Sequence, residues 1–261
     1  LRQHLHTVAQ AMPLRAQQGL FRLAIDRVFS LAGQGTVVTG TVFNGSVAVG
    51  DSLLHSATGK PTRVRSIHAQ NRASSQGVAG QRCALNLAGI AKEEITRGDW
   101  LLDARLLHTT QRIDVRLQLL AGAPALKSWA PVHVHLGTMH CTGHVALLQD
   151  GELPSGAQSL AQLVLDAPAV VQPGDRVIIR NAQASRTIAG AMVLDPGAPA
   201  RKRRSEARLA FLAALEHWVS THDTAPLLAE APHGLAQSPL VRLTGLAQPP
   251  VPPHAIVLPT T

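Results

Sequence analysis

Within twelve positions, His133, His135, His140, Cys141 and His144 offer the nitrogen and sulfur atoms that zinc accepts. A His-x-His pair on a strand places both imidazoles on one face. The spacing matches no established zinc knuckle, however. Alternation with Val132, Val134 and Leu136 already accounts for His133 and His135 as the wet side of a half-buried strand, so no metal site is expected. Two glycine motifs invite a phosphate-binding reading and fail it. Thr58-Gly59-Lys60-Pro61 lacks the upstream glycine spacing and the following Ser or Thr of a phosphate loop. Gly33-Gln34-Gly35 lacks the third glycine of a dinucleotide fingerprint and sits between two strands. No nucleophilic triad or carboxylate pair is visible, and Arg97-Gly98-Asp99 reads as a turn. Independent catalysis is therefore not expected. What remains is basic chemistry: Arg63, Arg65 and Arg72 in the first half, and the run Arg201, Lys202, Arg203, Arg204. Each group suits contact with RNA phosphate, and each reads nearly as well as a solvated surface.

The elements that carry these residues are mostly short strands. Phe21–Gly45 reads as two strands joined by a glycine loop, with Leu23, Ile25 and Val28 apolar in the first strand and a β-branched run Thr36–Phe43 in the second. Asn44-Gly45 is the pair that a type I′ hairpin turn prefers. Strands recur every eight to twelve residues up to Leu102, including Ser52–His55 and a strand in which Arg63, Arg65 and Ile67 alternate with Val64 and Ser66. This spacing argues for a closed barrel. A second barrel is expected from Arg112 to about Leu194, opening with Ile113, Val115, Leu117 and Leu119 alternating with polar residues. Leu1–Gln18 carries Leu1, Leu5, Val8 and Met12 at near-helical spacing, before a linker at Pro13–Gly19. After Pro196–Ala200, Ser205 is a candidate N-cap for a helix Glu206–Ser220 with Leu209, Leu212, Ala213, Leu215 and Val219 on one face.

The chain has 261 residues, 45% of them apolar, enough for two domains with real cores. Apolar runs fall far short of the ~20 residues that span a bilayer, and no signal peptide opens the chain, so no membrane partner and a cytoplasmic setting are expected. Cys83 and Cys141 sit on apolar strand patterns and read as reduced buried thiols. Net charge is +8, carried almost wholly by arginine, which suits an RNA partner. Seven aromatics and no tyrosine leave little for stacking on splayed bases. Trp100, Trp129 and Trp218 read as core or interface anchors.

The segment FRLAIDRVFSLAGQGTVVTGTVFNG resembles the opening of the second domain of translational GTPases. With GDSLLHSATGKPTRVRSIHAQNR (Gly50–Arg72), GQRCALNLAG (Gly80–Gly89) and ITRGDWLL (Ile95–Leu102), the resemblance narrows to the selenocysteine-specific translation elongation factors and runs from about Phe21 to Leu194. It implies a mainly β fold with two consecutive barrels of the translational-GTPase type and a short α-helical, winged-helix-like segment. The implied layout is 1–19 as the last helix and linker of a GTP-binding domain, 20–105 and 106–195 as the barrels, and 196–261 as a linker with a partial winged-helix-like region. It further implies selenocysteinyl-tRNA, the ribosome and a selenoprotein mRNA hairpin as partners, the last through segments not present here. GTP and Mg would belong to a nucleotide domain of the longer parent and no cofactor to this segment, so the parent and not the segment would be a GTPase. By motif position Asp26, Arg27 and Arg82 match the family's selenocysteinyl pocket: the arginines as partners of the selenolate, Asp26 as partner of the α-amino group. Read without the resemblance, the same three residues are a rim salt bridge. The alternatives are the barrels of a general elongation or initiation factor, or a standalone RNA-binding β-barrel protein.

Overall fold

The structure, a computed structural model, describes residues 1–11, 18–31, 33, 35–253 and 255–256. The expected helix position Met12, Gln34 of the glycine loop and all of the linker before residue 18 lie outside these. A fully exposed helix α1 (Arg2–Ala11) opens the chain. Nine strands follow: β1 (Arg22–Leu31), β2 (Gly35–Asn44), β3 (Ser46–Ala48), β4 (Ser52–His55), β5 (Pro61–Ala69), β6 (Arg72–Ser74), β7 (Gln76–Val78), β8 (Arg82–Ala88) and β9 (Trp100–Leu102). Six of them form a ring in the order β4-β9-β1-β2-β8-β5, closed by pairing of β4 with β5. Ring closure removes the sheet edges that would otherwise be open to aggregation. The interior is apolar, built on Leu23, Ile25, Val38, Ile67, Leu85 and Leu101, all at most 1% exposed.

Bulges explain where simple alternation breaks. The β1–β2 register slips between Ile25 and Arg27, so the extra residue is Asp26. That slip is why the apolar spacing of β1 runs 23, 25, 28. A second slip between Val64 and Ser66 makes Arg65 the extra residue of β5. It puts Ile67 in the core with Val64, rather than on the face of Arg63 and Arg65. Asn44-Gly45 is not the expected hairpin: Gly45, at φ 67°, hands the chain from β2 to β3, and β3 pairs with β7. Glycine is required there, because a Cβ would come within 2.4 Å of the Gly19 carbonyl oxygen.

The second barrel consists of β10 (Thr110–Leu119), β11 (Ala130–Leu136), β12 (Met139–Leu147), β13 (Gln158–Ala169), β14 (Arg176–Asn181) and β15 (Thr187–Asp195). The ring order is β10-β13-β12-β11-β14-β15. Ile113, Val115, Leu117 and Leu119 point inward and are fully buried. Asp114, on the opposite face, is fully buried too, because helix α2 (Glu206–Thr221) lies over it. Ser205 caps α2, its hydroxyl accepting from the Arg208 N–H. The packed face carries Leu212, Ala214, Leu215 and Trp218, and Ala213 is exposed. Two short helices, α3 (Ala225–Ala229) and α4 (Gln237–Thr244), fold back on this unit.

Two ion-pair systems hold these parts together. Arg208 reaches from α2 to Asp114 (Nε–Oδ2 3.0 Å) and to Asp195 (Nη2–Oδ2 2.7 Å), while Gln162 donates to Asp114 at 2.9 Å. Burial pushes the Asp114 carboxyl above its ordinary value, beyond what Arg208 and Gln162 take back. Arg22, 4% exposed, crosses from the first barrel to Asp175 of the second with two bonds of 2.8 and 2.7 Å. Its guanidinium also faces the rings of Trp100 and Phe43, at 5.0 and 5.9 Å. The Thr138 hydroxyl donates to the Ile25 carbonyl across the same junction, and the Leu20 N–H donates to the Gly245 carbonyl after α4.

Removing one partner of a buried pair leaves an uncompensated charge, which costs about 3–5 kcal/mol. Arg208→Met should therefore lower unfolding stability by about that amount in urea titration at neutral pH, with Trp218 fluorescence reporting the loosening of α2. Adding Asp114→Leu to Arg208→Met should recover part of the loss.

Candidate functional site

The bulge at Asp26 turns its carboxylate toward β2 and β8. Gly40, opposite Ile25, permits the close approach, since a Cβ there would lie 2.1 Å from the Ala24 carbonyl oxygen. Arg82, 56 positions later, opens β8 opposite Thr41. Its Nε and Nη2 donate to the two Asp26 oxygens at 3.1 and 2.9 Å. Thr39 completes the triangle: its hydroxyl donates to Asp26 at 2.7 Å and accepts from Arg82 Nη2 at 3.0 Å. Burial alone would raise the Asp26 carboxyl. The bonds from Arg82 and Thr39, with the charges of Arg82 and Arg27, outweigh it and hold the carboxyl below the usual aspartate value. The bond to Asp26 in turn raises Arg82. Arg27 pairs with Thr39 across the β1–β2 ladder and is exposed.

Beside this triangle, a cleft of about 400 Å³ lies over β1, β2, β8 and β5. Phe29 and Leu31 line it from β1, His68 from β5 and Asn71 from the β5–β6 turn, with Thr39, Cys83, Ala84, Asn86 and Arg82 between. Thr39, His68 and Asn71 were not singled out from sequence. The Thr36–Phe43 run read only as β-branched structure, and no local pattern marks a residue that reaches the cleft by strand order alone. A second, more open cleft of about 450 Å³ brings Arg63 and Arg65 together with Val49, Gly50, Val64 and Ala88. Arg72 opens β6 and does not line it. In the basic run, Arg204 binds Asp150 and the Leu147 carbonyl, at 2.8 and 2.9 Å, and so ties the run to the second barrel. Arg201 and Lys202 are exposed.

The other sequence motifs resolve in structural terms. Thr58-Gly59-Lys60-Pro61 is the β4–β5 turn, and Lys60 is engaged by Glu94. Asp99 of the Arg97-Gly98-Asp99 turn faces the buried His55 at 3.0 Å. Bonds from His55 and Thr96 overcome its burial and keep it low. Cys83 and Cys141 are free and buried, each in its own barrel core, and burial pushes the Cys141 thiol up to about 11. Trp100 and Trp218 are buried, but Trp129 is 53% exposed at φ 69°, stacked on His144. A core role for Trp129 is thereby corrected. His133, His135 and His140 form a stack on the outer face of β11 and β12, with His133 Nδ1 and His140 Nε2 2.8 Å apart. Among the described residues no group of three or more His, Cys, Asp or Glu is arranged to hold a metal ion. No helix among them is long and apolar enough to cross a membrane.

Two closed six-stranded antiparallel barrels in series, with a polar cluster on the first, are the architecture that two family profiles assign to translation elongation factors. Residues 35–102 match the family profile described as Elongation factor Tu domain 2, and residues 110–200 match that of the selenocysteine-specific elongation factor, beta-barrel domain. The selenocysteine-specific elongation factor of Haemophilus influenzae is 46% identical over 211 residues, covering 80% of this chain and 33% of the relative. That of Escherichia coli is 43% identical over 224 residues, covering 85% of this chain and 34% of the relative. Among solved structures, a bacterial selenocysteine-specific elongation factor superposes with a TM-score of 0.75 at 23% identity, over 94% of this chain and 39% of that one. The apo factor from Methanococcus maripaludis gives 0.62 at 24%, over 74% and 46%. The chain is a two-barrel module of the selenocysteine-specific elongation factor type, and it spans about a third of the length of the curated relatives it matches.

The histidine stack predicts an acid sensitivity. Burial, then the neighbouring His140, Arg180 and His133, depress His135 below the ordinary histidine value. The unfolded chain therefore binds the proton first, and stability should be full above about pH 6.5 and fall as pH drops below it. Thermal melting across that range should show the decline, and His135→Gln should flatten it.

Proposed function

We propose that this chain holds the aminoacyl end and acceptor arm of selenocysteinyl-tRNA, as part of a factor that delivers it to the ribosome at recoded UGA codons in the cytoplasm. In that longer protein a separate nucleotide domain would bind GTP with Mg and act as the switch, and further C-terminal segments would read the selenoprotein mRNA hairpin. The observation that carries the reading is the pairing of Arg82 with Asp26 beside a cleft on the first barrel, with the charge of Arg27 near enough to help hold the Asp26 carboxyl low. The selenol of selenocysteine is ionised at neutral pH, whereas the hydroxyl of serine is neutral. Two arginines against one carboxylate leave one net positive charge at the rim, which favours the selenolate. Arg27 is the more available cation, because Asp26 occupies two donors of Arg82. Asp26 has a second role as the group that fixes the Arg82 guanidinium, alongside its proposed contact with the α-amino group. Arg63 and Arg65 in the second cleft, with Arg72 and the exposed Arg201 and Lys202, are proposed RNA-backbone contacts. A general elongation or initiation factor is not favoured, because the identities of 43–46% are to selenocysteine-specific factors and extend through both barrels.

The test is the affinity of one tRNA charged with selenocysteine or with serine, measured with this chain in the setting of a full-length factor. Arg27→Ala and Arg82→Ala should each lower the preference for the selenocysteinyl form about tenfold, equivalent to 1.4 kcal/mol. Because the Asp26–Arg82 pair is half exposed on its arginine side, Arg82→Ala should cost less than about 1 kcal/mol of folding stability. An unchanged preference in both variants would refute the pocket assignment.

A further inference from the structure

On the outer face of the second barrel, two buried side-chain nitrogens lack a hydrogen-bond partner among the described residues: His135 Nε2 on β11 and Arg180 Nε on β14. The strand register brings them to one patch. Arg180 lies opposite His133, and His135 lies opposite Ile178, two residues away along β14. All four alternate with Val134, Leu136, Val177 and Ile179, which fill the barrel interior, so they share its outer face. His140, opposite His135 on β12, stacks on both histidines, with ring centroids 4.5 Å from His135 and 5.0 Å from His133. His133 is pinned from its other side, where Nε2 faces the Ala182 carbonyl at 3.2 Å.

Buried polar atoms are nearly always satisfied, and leaving one unmade costs about 1–3 kcal/mol. A guanidinium is always a donor, and a protonated imidazole donates from both nitrogens. We propose that His135 and Arg180, backed by His133 and His140, form a binding site for a tetrahedral oxyanion of the phosphate type, either a free ion or a phosphodiester of an RNA strand. The charge balance of the patch agrees. Arg180 supplies a permanent positive charge, and His135 adds another when it is protonated. The nearby acid, Asp166 on β13, is engaged by the Thr142 hydroxyl across from β12. Arg176 lies on the same outer face of β14. Burial, and after it the charges of His140, Arg180 and His133, disfavour protonation of His135, and an anion held between His135 and Arg180 favours it. Anion binding and proton uptake are therefore linked, with affinity rising as pH falls. This site lies on a different barrel from the aminoacyl cleft and does not depend on it.

Sulfate, which does not titrate in this range, is the first probe, followed at constant ionic strength by a short RNA duplex. Histidine ring resonances in NMR titrations of the whole 261-residue chain report the site. The expected result is saturable movement of the His135 ring with sulfate at about pH 6 and affinity lower by about tenfold or more at about pH 8. Arg180→Gln should lose at least about tenfold in affinity, and Arg112→Gln, an exposed arginine on β10, should lose none. If Arg180→Gln does not fold, Arg180→Lys keeps the charge without the buried Nε and should also bind more weakly. RNA that displaces sulfate and binds more tightly identifies the phosphodiester as the ligand, whereas RNA that leaves sulfate in place identifies a free oxyanion. Non-saturable shifts, or equal losses in the Arg112 and Arg180 variants, would overturn the site.

Discussion

Barrel closure is the constraint on which the rest of this molecule depends. A six-stranded antiparallel ring must bend and stagger its strands, and strands that pair perfectly along their length do not bend enough. The first barrel meets the requirement with extra residues that include Asp26 and Arg65. Both carry charged side chains, and the Asp26 carboxylate is turned toward β2 and β8. The device that closes the ring is therefore also the one that brings Asp26 to Arg82 and Thr39, while in β5 it turns Ile67 into the core and leaves Arg65 beside Arg63. A site placed by closure is as rigid as the barrel, which suits a pocket that must select by charge and position.

The two barrels and the helical unit behind them are joined by buried charge. Arg22 is held by Asp175 at two points and by two aromatic rings, so its desolvation is offset in bidentate geometry. Around it Leu20, Ala24, Trp100, Leu102 and Leu106 of the first barrel and its flanks pack with Val170 of the second and Val241 of α4. Arg208 plays the corresponding part for α2. Directional pairs of this kind fix orientation more sharply than apolar contact, which is tolerant of sliding.

What was legible from sequence follows from period and local chemistry. The inward rows Ile113-Val115-Leu117-Leu119 and Val132-Val134-Leu136 are read from alternation, and Ser205 as a cap from its place before an apolar helix. Bulges are not legible in that way: alternation groups Ile67 with Arg63 and Arg65, and Asn44-Gly45 reads as a hairpin, whereas the register turns Ile67 inward and leads β2 into β3. Nor is tertiary cover: Asp114 reads as a wet strand residue until α2, nearly a hundred positions later, brings Arg208 over it. The candidate pocket was legible only through resemblance, because Asp26, Arg27 and Arg82 carry no spacing that local physics would connect. Thr39 and His68 join it through strand order alone.

The electrostatics of the first-barrel cleft set how much selectivity charge alone can supply. Two unit charges 4 Å apart attract by about 1 kcal/mol in water and about 4 kcal/mol near a protein surface. The rim is open on the Arg82 side, half exposed, so the free-energy difference between an anionic and a neutral side chain belongs toward the lower end of that range. A difference of 1.4 kcal/mol is a factor of ten. Larger discrimination requires that the rim lose water, and among the described residues none buries Arg27 or Arg82, which are both exposed. In the proposed reading the covering surface comes from the other side of the aminoacyl group: from the tRNA end itself, or from a domain that closes over it. If the proposed pocket selects the selenolate, the barrel supplies the sign of that selection and closure by a partner supplies its size.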